Sequence, residues 1–447
     1  MSITVSNLPQ NYRTVYNPVE IVVKESDATT RGYEGFQYII DIYETTGVVL
    51  LSRLKTPVRS DGFGRVNMNG VMESYVQNVL SEINQTNQEA MFDNSEGANY
   101  YDDASWRQFK IRFGWEHYNG GTLTQSLNQT VSFPSPLEDA NFYDFIVFNS
   151  ALPNYRGNVL NFYDWQVTDK FKDYVVGSGA TRSDWLTNEP NSLNPNRSEN
   201  VKVEITDEGY LSFLYDHANF PIDRVIIDEY DASGSILSTS ELRKPTGVTE
   251  HHVSVACSPQ TLNNVAAAEF LSGSQPVIST SATSYSVALY NSTTIKTKKM
   301  FFNIESECRY ETRRLEFLNS LGGFDCFNFT KVSKRSEEIE RKFFKQNPEN
   351  LSSVGVINYS ISDRQKVQYY TTSKPKMKLT SDWVDADTFN WLLELIESPE
   401  IYLHENNKRI PIKNIEGNWE EKRSKVDKMF NLEVNLEFGV DNYRQRF

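Results

Sequence analysis

The C-terminal end of the chain carries the pattern that most restricts how the protein can fold. Apolar residues alternate there with single polar residues at Phe430, Leu432, Val434, Leu436 and Phe438. Side chains of a β-strand point alternately to the two faces of a sheet, so this period of two predicts a strand with one buried face. Many short apolar runs broken by turn residues occur elsewhere, and the chain has 26 Phe and 24 Tyr against 7 Met. We therefore predict a mainly β fold.

The length of 447 residues exceeds what one hydrophobic core supports. We predict several domains, built from β-sandwich or immunoglobulin-like modules with a few short helices. The predicted regions are an N-terminal β domain at 1–140, a middle β (immunoglobulin-like) region with long loops at 141–309, and a C-terminal α+β assembly domain at 310–447. About seven short strands in the middle region support the immunoglobulin-like interpretation.

Turn residues and apolar spacing predict individual elements within these regions. Asn119-Gly120-Gly121 and the segment Asp231–Gly234 are each expected to connect the two strands of a hairpin. Asp385 is expected to cap a helix that ends at Pro399. A second amphipathic helix is predicted from the spacing of Met72, Tyr75, Val76, Val79 and Ile83.

The stretch from Tyr310 to Phe329 is predicted to join a helix to an extended segment. Gly322-Gly323 follows a run of leucines at a typical helix stop, and an aromatic-rich run comes after the glycines. We interpret Gly322 and Gly323 as a structural hinge with positive φ, in a stretch that packs or docks and carries no chemistry. The leucines that would share one side of the helix are Leu315, Leu318 and Leu321.

Two tryptophans and a basic stripe are the candidate contacts with neighbouring subunits. Trp165 and Trp185 lie in loop-rich sequence, which favours an exposed contact surface. From Lys374 to Leu379, basic and apolar residues alternate around a proline, which predicts an edge-type strand with one basic face. That face is either a solvated edge that prevents aggregation or an electrostatic contact with an acidic neighbour. Its lysines are Lys374, Lys376 and Lys378.

Catalytic and cofactor motifs are weak in this sequence. The adjacent carboxylates Asp102-Asp103 and Asp228-Glu229 could serve glycoside hydrolysis, but neighbouring strand residues face opposite sides of a sheet. An EF-hand that began at Asp228 would have Thr239 in place of its bidentate glutamate. No GxxxxGK[ST] loop or GxSxG elbow occurs, and the three cysteines and five histidines lack metal-binding spacing. We predict no catalytic, cofactor-binding or metal-binding residues, no cofactor and no enzymatic activity.

The net charge of −14 is unevenly distributed along the chain. From Glu311 onward there are 22 Lys+Arg and 22 Asp+Glu, so the 23 basic and 37 acidic residues before it carry the whole net charge. An acidic region is poorly suited to phosphate binding, and we predict no sequence-specific nucleic-acid binding. The sequence has no apolar run long enough for a membrane span and no signal-peptide profile, which predicts a soluble protein made in the cytosol.

The C-terminal block resembles structural tail proteins of phages that infect Bacteroidetes, including the crAss-like phages. The resemblance rests on RRLEFLNSLGGFDCFNFTK (Arg313 to Lys331), on SDWVDADTFNWLLELIESPEIYL (Ser381 to Leu403) and on the final strand. The opening NPVEIVVKES, GFQYIIDIY and RVNMNGVMESYV is similar to the β domain that often begins such proteins. The resemblance implies a virion tail protein, made in the host cytoplasm, that forms a homo-oligomeric ring beside other tail proteins and has no catalysis.

The function predicted from sequence is therefore a non-enzymatic virion structural protein that assembles into an oligomeric ring of a phage tail or tail hub. The alternative is a carbohydrate-binding attachment or tail-fibre module, in which exposed tryptophans stack on sugars. A glycan-degrading tail enzyme that uses Asp102 or Asp103 is a third hypothesis.

Overall fold

The computed structural model describes residues 2–6, 12–44, 49–76, 91–93, 105–127, 130–132, 142–151, 174–176, 182–216, 221–245, 251–305, 309–345, 354–355, 366–406, 408–417 and 431–439. In this part of the chain the fold is mainly β, with several separate sheets and a few short helices, as the sequence predicts.

Backbone contacts divide the chain into two compact units. Unit 1 comprises Met1–Glu305 together with Leu318–Asp325, and unit 2 comprises Ser306–Phe317 and Cys326–Phe447. Unit 1 thus includes most of the first two regions predicted from sequence, as well as a short segment of the third. The three-region division itself stays a prediction.

The first part of unit 1 contains two sheets that share a core. The order is β10-β1-β3-β6 in one sheet and β2-β11-β8-β4-β5 in the other, where β9 pairs with β8. Ile3 and Val23 of the first sheet and Ile40 and Phe113 of the second belong to the same buried cluster, so the sheets pack as a sandwich. Short helices lie at Ala28–Arg31 and Asn69–Met72, the latter followed by a 3-10 turn at Glu73–Tyr75. The strands are β1 (Ser2–Ser6), β2 (Tyr12–Thr14), β3 (Glu20–Glu25), β4 (Gln37–Glu44), β5 (Leu50–Pro57), β6 (Phe63–Asn67), β7 (Met91–Asp93), β8 (Trp106–Asn119), β9 (Thr122–Ser126), β10 (Thr130–Ser132) and β11 (Tyr143–Phe148).

The second part of unit 1 contributes two more sheets. A four-stranded sheet has the order β12-β14-β17-β7, and a seven-stranded sheet has the order β13-β21-β19-β15-β16-β18 with β20 paired to β19. A helix at Pro259–Asn263 and a 3-10 turn at Ala267–Glu269 connect strands of this part. The strands are β12 (Val175–Val176), β13 (Val201–Val203), β14 (Tyr210–Tyr215), β15 (Arg224–Tyr230), β16 (Ile236–Arg243), β17 (His252–Ala256), β18 (Phe270–Ser272), β19 (Ser284–Asn291), β20 (Thr294–Ile295) and β21 (Met300–Ile304).

Unit 2 is built on one seven-stranded sheet of order β23-β22-β26-β27-β28-β25-β24. Two short helices, Ala386–Trp391 and Leu393–Glu397, cover one face, because Phe389 and Leu395 share a buried cluster with Leu403 of the sheet. The strands are β22 (Arg313–Leu318), β23 (Phe324–Phe329), β24 (Lys334–Lys345), β25 (Lys366–Thr380), β26 (Ile401–Glu405), β27 (Lys408–Gly417) and β28 (Glu433–Phe438).

Several local predictions are confirmed. Gly120 and Gly121 both have positive φ in the two-residue turn between β8 and β9, the geometry that favours glycine there. The segment Asp231–Gly234 lies in the turn between β15 and β16. The Asp385 side chain accepts a hydrogen bond from the Thr388 backbone N–H and so caps the first helix of unit 2. In β28, the alternating residues Val434 and Leu436 are buried.

The helix predicted through Leu315, Leu318 and Leu321 is wrong. Residues Arg313–Leu318 form strand β22, the chain turns at residues 319–323, and β23 returns beside β22. Arg314 and Glu316 alternate with Leu315 and Phe317, a strand pattern that the prediction from leucine spacing did not use, and all six residues of β22 are buried. The equal spacing of the three leucines reflects two strand residues and one turn residue. The amphipathic helix predicted from Met72 to Ile83 is only partly confirmed. Residues up to Tyr75 are helical and Val76 is extended, while Val79 and Ile83 lie outside the described residues.

Candidate assembly surface

Strands β24 and β25 extend beyond the sheet of unit 2 as a two-stranded ribbon. Strand β25 pairs with β28 only over Lys376–Thr380, whereas it pairs with β24 from Lys378 out to Lys366. The ribbon thus runs from Glu337 to Lys345 on the β24 side, about 27 Å at the usual rise of a strand. All twelve side chains of β24 are exposed. We call this segment, residues 337–345 and 366–375, the ribbon.

The ribbon exposes large apolar side chains near its outer end. Phe343, Phe344 and Tyr369 are 54%, 47% and 49% exposed, and Ile339 is exposed as well. The rings of Phe344 and Tyr369 lie 6.1 Å apart, next to a β-bulge in the pairing of the two strands. None of these four residues belongs to the hydrophobic cluster of unit 2 in the described part of the chain. They form an apolar patch without a role in the core of their own unit.

Sequence reasoning missed this patch. In β24 the sequence KRSEEIERKFFK places Phe343 and Phe344 among eight charged residues, a composition that indicates a solvent-exposed strand without a binding role. The pair Phe343-Phe344 itself could have indicated the patch. Adjacent strand residues point to opposite faces, so two neighbouring phenylalanines place one ring on each face of the ribbon, and at least one of these faces lies outside a core.

The predicted basic stripe lies at the base of the ribbon, and its environment corrects the edge-strand prediction. At Lys376 and Lys378, strand β25 is an interior strand between β24 and β28. Pairing with β28 stops at Lys376, next to Pro375, which has no N–H to donate. The Lys376 Nζ lies 2.7 Å from Glu338 and the Lys378 Nζ lies 2.6 Å from Glu433.

The lysine stripe is therefore largely compensated inside unit 2. Hydrogen bonding and charge from Lys376 lower the pKa of Glu338, which keeps that carboxyl ionised. Lys374 is exposed and lies directly across from Glu338 in the register of the two strands. Of the three lysines, Lys374 is the one the structure leaves most accessible to an acidic neighbour. The predicted electrostatic contact stays a prediction for this residue.

A groove of about 440 Å³ lies beside the base of the ribbon. Glu405 closes one side of it, because its Oε1 accepts hydrogen bonds from both Arg335 and Arg313, the latter at 2.9 Å. Three strands separate β24 from β26 in the sheet, so contact between Arg335 and Glu405 requires the sheet to be strongly curved. The lining residues are Arg335, Ser336, Glu337, Pro375, Lys376, Glu405, Ile410 and Phe438.

The two candidate tryptophans do not form an exposed pair. Trp185 is only 4% exposed, its Nε1 donates a hydrogen bond to the Lys298 carbonyl at 2.9 Å, and its ring meets Phe213 edge to face. The expectation that Trp185 is an exposed contact or sugar-stacking residue is thus wrong: the residue is part of the interior of unit 1. Trp165 lies outside the described residues.

Gly322 and Gly323 lie in the tight turn of a β-hairpin, which replaces the predicted helix hinge. The Asn319 side-chain oxygen accepts hydrogen bonds from the N–H groups of Leu321 and Gly323, both at 3.0 Å. Its amide donates to the Leu186 carbonyl at 2.8 Å, which ties the turn to unit 1. The positive φ predicted for this stretch is confirmed at Gly322, where φ is +90°.

The candidate carboxylate pair Asp228-Glu229 is engaged in structural contacts. Asp228 forms an ion pair with Lys299 at 2.6 Å and accepts a hydrogen bond from Thr239. Glu229 accepts hydrogen bonds from Ser238 and the Ser279 backbone N–H. The two carboxylates therefore use different partners and do not form a joint acid–base site. Asp102 and Asp103 lie outside the described residues.

A buried ionic cluster of unit 2 is centred on Glu316. This carboxylate is 1% exposed, and it contacts His404 Nε2 at 2.7 Å and the Arg409 guanidinium at 2.5 and 2.9 Å. Burial by itself would raise the pKa of Glu316, but the charge of Arg409 and the hydrogen bond from His404 outweigh burial and hold that pKa well below its usual range. A carboxylate held ionised by the Arg409 guanidinium and a hydrogen bond from His404, and closed off from water, is a structural element of the sheet.

His252 and Glu400 are titratable groups whose pKa values are shifted by burial alone. Burial lowers the pKa of His252 to about 3 and raises the pKa of Glu400 to about 7. His252 belongs to unit 1 and Glu400 to unit 2. Among the residues that the structure describes, no group of three or more His, Cys, Asp or Glu side chains could hold a metal ion.

Stability should fall in mild acid because of His252. Its two ring nitrogens have no hydrogen-bond partner within the described structure, and its folded-state pKa of about 3 lies below the ordinary 6.5. The unfolded chain thus takes up a proton below pH 6.5 that the folded chain refuses, which costs about 1.4 kcal/mol of unfolding free energy per pH unit. Between pH 6.5 and pH 5 we expect a loss of roughly 2 kcal/mol from this residue.

Urea unfolding at several pH values measures this effect. A His252→Phe variant keeps an apolar ring at the site and should lose less stability than the parent between pH 6.5 and pH 5. The other titrating groups are common to both proteins, so they cancel in the comparison. Equal losses in parent and variant would show that His252 is not buried in its neutral form.

Two comparisons with known proteins were negative: no protein-family model matches the chain, and a search of curated proteins finds no match. Among the residues that the structure describes, no helix has the length and apolar character needed to cross a membrane.

Proposed function

We propose that this protein is a non-enzymatic structural protein that assembles into a closed oligomeric ring, as a component of a phage tail or tail hub. The observation that carries the assembly proposal is the ribbon, because it projects from the sheet of unit 2 and exposes an apolar patch that lies outside the described core of that unit. The tail assignment rests on the resemblance of residues 313–331 and 381–403 to phage tail proteins.

The ribbon supports assembly on physical grounds. Exposed, contiguous apolar side chains on a soluble protein mark interaction sites, and a strand with an exposed outer side offers backbone groups to another chain. A ring needs head-to-tail contacts between unlike surfaces of successive copies. An elongated arm suits such a contact, because it can reach a neighbouring copy while both folded units stay unchanged.

Removing the apolar patch should weaken assembly. In a Phe343→Ser/Phe344→Ser variant, we expect the mass measured by multi-angle light scattering to shift toward the monomer. Burial of one phenylalanine contributes about 1.5–3 kcal/mol, so each substitution should weaken association at least tenfold if both rings are buried in the assembly. The folded monomer should keep its stability, since both rings are about half exposed in the single chain.

The matched control is Ile236→Ser/Leu237→Ser. These two residues are also adjacent, apolar and about half exposed, but they lie on β16 of unit 1. We expect the control to assemble like the parent. A parent protein that is monomeric at every concentration and absent from purified virions would refute the proposed function. If the protein still assembles after both phenylalanines are replaced, the ribbon is not part of the interface.

A further inference from the structure

The outer side of β24 is a candidate for pairing with another strand. In the described part of the chain β24 is the last strand of its sheet, and no described strand pairs with its second side. The strand keeps a regular alternation over twelve residues, because the bulge in its ladder adds the extra residue to β25. All twelve of its side chains are exposed.

The charges of β24 are self-complementary in one antiparallel register. When two identical strands pair antiparallel about a two-fold axis, the residue at the axis lies opposite its own copy. A residue a given number of positions before the axis then lies opposite the residue the same number of positions after it in the second copy. With the axis at Arg341, Glu340 lies opposite Lys342 and Ile339 lies opposite Phe343 of the second copy. Glu337 likewise lies opposite Lys345. Each of these pairs occurs twice in the dimer.

Neighbouring registers hold fewer favourable pairs. An axis at Glu340 keeps two opposite-charge pairs, Glu338 with Lys342, but places Arg335 opposite Lys345 twice and Glu340 opposite itself. An axis at Ile339 keeps two opposite-charge pairs, Glu337 with Arg341, but places Glu338 opposite Glu340 twice. The register centred on Arg341 contains four opposite-charge pairs and two apolar pairs against a single like-charge pair, Arg341 with itself, and it places Glu338 opposite Phe344 twice. Opposite charges across a strand pair are favourable, and like charges are unfavourable.

We infer that β24 is a self-association surface, and that it pairs antiparallel with β24 of a second copy of this chain about a two-fold axis at Arg341. This inference rests on the proposed assembly function and names the partner at the ribbon. The pairing would bury the exposed Phe343 against Ile339 of the other copy. A two-fold contact closes after two copies, so the outer edge of β24 joins chains in pairs and, within a ring assembly, connects two rings. The two faces of the ribbon remain for the head-to-tail contact within a ring.

The charged edge has an opposing interpretation, which the experiment must separate from the inference. Lysine and other charges on an edge strand commonly prevent pairing. Under that interpretation the order of the charges along β24 is immaterial, and only their presence counts. Under the inference the order decides the outcome, because it determines which residues meet across the two-fold axis.

A charge-swap series on the full-length protein tests the order directly. Glu340→Lys and Lys342→Glu each place like charges opposite one another twice per dimer, so each should weaken self-association about tenfold by sedimentation. The double variant Glu340→Lys/Lys342→Glu restores both pairs and should recover the affinity of the parent. Lys202→Glu, an exposed lysine of unit 1, is the control for the change in net charge and should have no effect.

Cross-linking gives a second readout of the axis position. Opposed residues of antiparallel strands have Cα atoms about 4.5–5.5 Å apart, within the range of a disulfide. An Arg341→Cys variant should therefore form a covalent dimer on oxidation. Lys334→Cys, on the same exposed strand but seven residues from the axis, should not.

The outcomes separate the inference from the proposed function. A parent that never self-associates overturns both. A parent that assembles, with single variants that assemble equally well and no preferred cross-link at residue 341, overturns only the pairing of β24. If both single variants weaken self-association and the double variant does not restore it, the pairing of β24 is also overturned. That result would show that the presence of the charges matters and their order along the strand does not.

Discussion

A Gly322→Val variant is expected to be severely destabilised, by about 4 kcal/mol. The residue has φ +90°, and an added Cβ would lie 2.5 Å from the Asn149 carbonyl oxygen. A β-branched residue with positive φ costs about 1–3 kcal/mol of strain, and forced overpacking against backbone costs a further 1–3 kcal/mol or so. The obstructing atom belongs to the backbone, so a rotamer change cannot relieve the clash. Urea unfolding monitored by circular dichroism measures the loss.

Gly121→Val is the matched control for this prediction. Gly121 also has positive φ, at +84°, but an added Cβ there meets no atom within 4 Å. The control should therefore show the strain alone, about 1–3 kcal/mol, and the difference between the two variants gives the cost of the close approach at Gly322. Gly322 lies in the C-terminal domain predicted from sequence, whereas backbone contacts assign Leu318–Asp325 to unit 1, so the loss of stability is expected in unit 1. Equal destabilisation of the two variants would contradict the close approach.

The second large effect is expected from Glu316→Gln. This change keeps the shape of the side chain but removes the charge that compensates Arg409, whose side chain is 10% exposed. Removing one partner of a buried ion pair typically costs about 3–5 kcal/mol, because the other charge stays buried. We expect a lower urea midpoint with an unchanged slope. Glu338→Gln, which breaks an exposed ion pair with Lys376 in the same unit, is the control and should change stability little.

The pH dependence of the same variant gives an independent check. The folded-state pKa of Glu316 lies below the ordinary 4.5, so its stabilising effect is complete above pH 4.5 and is lost as the pH falls below that value. The parent should lose stability in this acid range, and Glu316→Gln should lose less. A double variant Glu316→Leu/Arg409→Met should recover most of the lost stability, because hydrophobic replacements of buried ion pairs are often well tolerated. If Glu316→Gln unfolds like the parent at neutral pH, the cluster is solvated and the burial argument fails.

Local chemistry made part of the fold predictable from sequence. The turn at Gly120-Gly121, the cap at Asp385 and the alternation in β28 each depend on a few neighbouring residues, and the structure confirms them. Strand β22 was misassigned because the spacing of three leucines was given more weight than the alternation of Arg314 and Glu316 with Leu315 and Phe317. The burial of Glu316 could not be predicted from local sequence, because it depends on partners such as Arg409, about ninety residues away in the sequence.

The candidate site was less predictable than the fold, for related reasons. Trp185 was expected on the surface because its neighbours are turn residues, but the Lys298 carbonyl gives its ring nitrogen a partner inside unit 1. The accessibility of Phe343 and Phe344 depends on where pairing with β28 ends, which is a property of the whole sheet. The sequence predicted a strand at these lysines but placed it at an edge, although β25 is interior at Lys376 and Lys378, and it missed the adjacent aromatic patch.

The hairpin turn at residues 318–325 also affects how the protein can be made. Leu321 is buried with Tyr12, Phe148 and Leu214, so a core cluster of unit 1 contains a residue that follows strand β22 of unit 2 in the chain. During translation, unit 1 cannot complete this cluster until the ribosome has passed Asp325 and the segment has left the exit tunnel. A gene fragment that stops at Glu305 would lack this residue, and one that starts at Ser306 would carry it without its partners. A fragment designed to fold as unit 1 should therefore include residues 318–325 as well as residues 1–305.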